Sequence, residues 1–110
     1  SLQVATAEAQ WAATEHELTN WIATELTSLE QQAESLELAA ETAELAALNV
    51  ATQRSHFEAG DGTTLAIAQA LQAQREAELR VIRAQVALAT GRVALDDAMG
   101  VLLRRGSVDG

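Results

Sequence analysis

The groups able to bind a metal or move a proton lie mostly in the first half of this chain: His16, His56 and ten glutamates. Their spacing serves neither task. His16 is flanked by Glu15 and Glu17, but adjacent residues of a helix do not share a face, so the three cannot converge as a chelate. A di-metal carboxylate bundle needs Glu-x-x-His on one helix, and the residues three before the histidines are Ala13 and Gln53. Asp96 and Asp97 form a lone acidic pair on an amphipathic stretch and read as solvent-facing. There is no GxSxG, HExxH or phosphate-binding glycine loop. Without cysteine there is neither a disulfide framework nor a thiolate site. The expectation is a protein that is not an enzyme, with no catalytic residue, no metal and no cofactor.

The stretch that breaks the pattern is FEAGDGTTLA, Phe57 to Ala66. Two glycines, an aspartate and two threonines crowd into Gly60–Thr64. Gly60 suits the left-handed residue that ends a helix. Asp61 or Thr63 can cap the helix that follows.

The elements around this stretch are helical by composition. The chain has no proline, six glycines and many Ala, Leu, Glu, Gln and Arg, which are good helix formers. Between Leu2 and Ala59 no residue stops a helix. Ile22, Leu29, Leu36, Ala43 and Val50 recur every seven residues, as do Val4, Trp11 and Leu18, and Leu26, Ala33, Ala40 and Ala47. Trp11, on the Val4–Leu18 line, reads as buried packing rather than a membrane-interface residue. In the second segment Leu79, Ile82, Val86, Ala89 and Val93 alternate three and four apart and read as the seam. Val81, Leu88, Leu95 and Leu102 make a line beside it. Gly91 and Gly100 are interior glycines costing up to about 1 kcal/mol each relative to alanine.

The predicted fold is all-α: a single long antiparallel, coiled-coil-like hairpin. Its parts are helix one over 2–59, a turn or tip over 60–64, helix two over 65–105 and a tail over 106–110. With the corner near Asp61, residue i should lie opposite roughly 122 − i, pairing Leu29 with Val93 and Leu36 with Val86. Each helix carries more than one apolar stripe, and a two-helix hairpin buries one per helix. The isolated chain is therefore expected to form a dimer or tetramer.

The net charge of −9 is uneven. Residues 1–60 hold ten glutamates against Arg54, whereas residues 61–110 hold six acids and six arginines. No basic stripe exists for nucleic acid. The acidic half reads as a solvated face. No apolar run approaches the ~20 residues that span a bilayer, so the chain reads as soluble.

From Gln53 to Gly100 the sequence resembles the C-terminal hallmark of TolC-like outer membrane efflux proteins, as found with heavy-metal and multidrug pumps of the resistance-nodulation-division type. Phe57 and Gly60 match its aromatic-x-x-Gly element, Ile67 and Ala70 the Val and Ala positions that follow, and Leu95 and Gly100 its closing Leu and Gly, with Met99 just before. Two family positions that are often acidic fall on Ala66 and Gln69, so no charge-based gating is carried over. The resemblance implies a passive, periplasmic α-helical tunnel segment of an outer membrane homotrimer, one hairpin of a longer protein. Its tip would dock on a periplasmic adaptor (membrane fusion) protein beside an inner-membrane pump. Ala59, Gly60, Asp61, Gly62, Thr63 and Thr64 are the expected docking tip. The alternative is a generic antiparallel coiled-coil module that oligomerises or scaffolds, with no transport role.

Overall fold

The computed structural model describes the backbone of residues 2–109 and the side chains of residues 2–104. Two helices, α1 (Leu2–Glu58) and α2 (Thr64–Asp109), form the antiparallel hairpin that the composition predicts. The turn lies within a residue of the expected place at each side. The far end of α2 differs: the helix continues through Asp109, where the sequence predicts a tail from Gly106. Gly106 weakens a helix by about 1 kcal/mol against alanine, but no proline follows it and, among the described residues, no left-handed one, so the helical backbone bonding continues. Gly110 lies outside the described residues.

The chain divides into two units, Gln32–Leu88 and Ser1–Gln31 with Ala89–Gly110. In the first, Val50, Ala70, Ala77 and Leu88 are buried. Half-buried positions continue their rows three and four apart: Leu36, Ala39, Ala43, Ala46 and Gln53 on α1, and Ile67, Gln74, Val81 and Ala84 on α2. This is the 3-4 alternation of a coiled-coil seam. It corrects the sequence reading of α2. Leu79, Ile82 and Val86 are 49%, 53% and 60% exposed, and the Val81–Leu88 line faces α1 instead.

The reason lies in the companion row. Ala70, Ala77 and Ala84 accompany Val81 and Leu88 in the seam; such small side chains let two helix axes approach closely. The row through Ile82 carries Arg75 one heptad before it and Asp96 two heptads after it, charges that would be costly to bury unpaired.

A hollow of about 220 Å³ is lined by Ser35, Leu38, Ala39 and Thr42 of α1 and by Ala77 and Arg80 of α2. Leu36 and Ala84 are half-buried, whereas Val86, the expected partner of Leu36, is 60% exposed. Polar groups add little across this seam. The side-chain hydrogen bonds of Thr42, Thr52, Gln53, Gln72 and Gln74 stay within their own helices. Gln32 Oε1 is buried with no hydrogen-bond partner, a cost on the order of 1–3 kcal/mol.

In the second unit Leu95 is buried, and Leu18, Ile22, Leu29, Gly91, Ala98 and Leu102 are half-buried. Val93, the expected partner of Leu29, is 61% exposed. Trp11 and Trp21 are 38% and 42% exposed, so the buried packing predicted for Trp11 is not realised.

Candidate docking tip

The corner is built from backbone bonds. Gly60 has φ +86°, the one positive φ among the described residues. The Gly60 N–H donates to Phe57 O at 3.1 Å and the Asp61 N–H to His56 O at 2.8 Å. These are the two bonds of a Schellman ending, which satisfies carbonyls that α1 would otherwise leave open. An L side chain at Gly60 would have room, since nothing lies within 4 Å of a Cβ there, but it would be strained by the φ.

Gly62 has the opposite constraint. A Cβ at this position would sit 2.8 Å from Phe57 N and 3.1 Å from both the carbonyl carbon and the Cβ of His56. The chain folds back against the last turn of α1, and only glycine fits that approach.

Thr63 starts α2. Its hydroxyl oxygen accepts the Ala66 N–H at 3.0 Å, and its carbonyl accepts the Ile67 N–H at 3.3 Å. Of the two capping candidates, the structure uses Thr63. Asp61 is exposed, as are Ala59, Gly60, Thr63 and Thr64, while Gly62 is half-buried. All six expected tip residues thus lie in one turn whose shape is set by a left-handed glycine, a crowded glycine and a cap.

Two further residues belong to this surface. Phe57, 46% exposed, and Leu65, 65% exposed, flank the turn from either helix. The signal for them was available, because a large apolar residue beside a tight turn has no core to enter in a two-helix hairpin. Ala66, one of the positions lacking the family's acid, is half-buried behind the cap.

No family model, curated protein or solved structure matches this chain.

The tip joins two apolar side chains to a rigid, uncluttered backbone bend, with Asp61 as its carboxylate. His56 and His16 are both exposed. Among the described residues, no three His, Asp or Glu side chains come together, and no helix is long and apolar enough to cross a membrane.

Proposed function

We propose that this chain is a helical hairpin of a TolC-like outer membrane efflux channel, part of the periplasmic tunnel wall, whose tip docks on a periplasmic adaptor protein. In this reading it is a passive conduit element in a homotrimeric parent served by an inner-membrane pump. The observation that carries the proposal is the tip: Phe57 and Leu65 are exposed on both sides of a turn fixed by Gly60, Gly62 and Thr63. A rigid turn with apolar flanks loses little conformational entropy when a partner covers it. The match of Phe57, Gly60, Ile67, Ala70, Leu95 and Gly100 to the family pattern adds the class of assembly.

A second reading, an oligomerising coiled-coil module without a transport role, draws on a different observation. Leu38, Leu45, Leu48, Leu79, Ile82 and Val86 are exposed along the helices, away from the tip. It requires no docking at the turn.

The two readings separate in the full-length protein. Asp61→Trp and Leu65→Lys change the tip without touching the seam. The efflux reading expects normal trimer assembly and export to the medium reduced about tenfold or more, as loss of an apolar anchor at an interface produces. Unchanged export with either variant overturns tip docking.

A further inference from the structure

The unit made of Ser1–Gln31 and Ala89–Gly110 carries a charged side chain where its seam would take a leucine. On α1 its inward positions run Leu18, Ile22, Glu25 and Leu29, four, three and four residues apart. Glu25 therefore holds a seam position, while its neighbour Leu26 is 48% exposed. Among the described residues Glu25 is the one charged side chain that is not exposed, and it makes no hydrogen bond or ion pair. The seam positions of α2 in this unit are Gly91, Leu95, Ala98 and Leu102. None of these has a side chain that can donate to a carboxylate.

The two units differ in what closes them. Val50, Ala70, Ala77 and Leu88 are buried in the unit Gln32–Leu88, whereas the other unit buries Leu95 alone among its described residues. Polar seam residues of Gln32–Leu88, namely Gln32, Gln53 and Gln74, are uncharged; an unpaired carboxylate costs more to enclose. Gly91 weakens its helix and adds no side chain to the seam. Local opening begins where few apolar groups are buried. Leu18, Ile22, Leu29, Leu95 and Leu102 supply apolar groups on both helices, so this seam is interrupted at Glu25 rather than missing.

We infer that Glu25 is a weak point built into the seam, which lets residues 18–31 and 89–102 part from each other while Gln32–Leu88 stays paired. The device is the local opening of one unit, set by the identity of one seam residue. Once parted, each segment loses the packing that supports it, and isolated helical segments of this length are marginal in water. Their backbone amides then exchange with solvent, which makes the opening measurable. This goes beyond the tip-docking proposal and does not depend on it.

Hydrogen exchange read by mass spectrometry on the 110-residue chain tests the inference, with Glu25→Leu as the variant. Glu30→Leu, at an exposed position of the same helix and unit, is the control. In the parent chain, amides of 18–30 and 91–102 should exchange at least about tenfold faster than those of 36–53 and 70–88. Glu25→Leu should slow exchange in the first two segments at least about tenfold, because a leucine then completes the seam, and should leave the other two unchanged. Glu30→Leu should change neither. Equal exchange in both units of the parent, a Glu25→Leu chain that exchanges as the parent does, or an equal gain from Glu30→Leu overturns it. Repeating the comparison at two protein concentrations separates association: a gain that grows with concentration also overturns it. Export in cells is not involved, so this result and that of the tip variants can fail separately.

Discussion

Two apolar lines run along α2, and they have different fates. Val81 and Leu88 turn toward α1, whereas Leu79, Ile82 and Val86, of similar size and equally regular spacing, remain half exposed or more. Hydrophobicity does not separate them; the residues beside them do. The first line is accompanied by Ala70, Ala77 and Ala84, so another helix can come close; Leu88 is buried and Val81 half-buried. The second is accompanied by Arg75 and bordered by Arg83, which keep it at the surface. In a hairpin this rich in alanine, the small residues choose the interface and the large ones fill it.

The widest gap between the two lines should appear on truncation. Leu88→Ala is expected to cost about 3 kcal/mol of hairpin stability, within the usual range for a buried leucine. Val86→Ala should stay within about 0.5 kcal/mol when measured at low micromolar concentration, because no cavity forms. Thermal unfolding followed by circular dichroism measures both, and equal losses would erase the distinction.

The next effect probes the small-residue row itself. Ala77→Leu introduces a large side chain where 2% of the surface is exposed, and overpacking of this kind costs about 1–3 kcal/mol. Urea denaturation should show a lowered midpoint. A stable Ala77→Leu chain would mean that the helices do not approach closely there.

Smaller effects belong to the turn that sets the register. Gly60→Ala forces an L side chain to φ +86°, costing about 1–2 kcal/mol. Gly62→Ala should cost at least about 1 kcal/mol for a different reason, since its Cβ meets backbone of α1. Thr63→Ala removes the cap on Ala66 N–H, worth about 1 kcal/mol, and Thr63→Ser should restore most of it. Chemical denaturation resolves these differences.

Much of this architecture was legible in the sequence. The absence of proline, the heptads of α1 and the cluster Gly60–Thr64 led to a two-helix hairpin and placed its corner, and Gly60 showed its conformation through residue type alone. The orientation of α2 was not legible by counting large apolar residues, because both lines score alike. Nor was the second row of the α1 seam, which passes through Gln32, Ala39, Ala46 and Gln53. Polar and small residues give no apolar signal, and they enter the seam because the register set by the turn carries them there. At the tip, the six turn residues were evident, while Phe57 and Leu65 were signalled only by being large apolar residues beside a tight turn.

The central claim is that one apolar line of α2 is closed within the hairpin and the other is left exposed. Thiol labelling decides it, because the chain has no cysteine of its own. Val86→Cys should react freely in the folded chain. Leu88→Cys should be protected at every concentration. Protection of both from the outset, or free reaction of Leu88→Cys in a folded chain, would contradict the account.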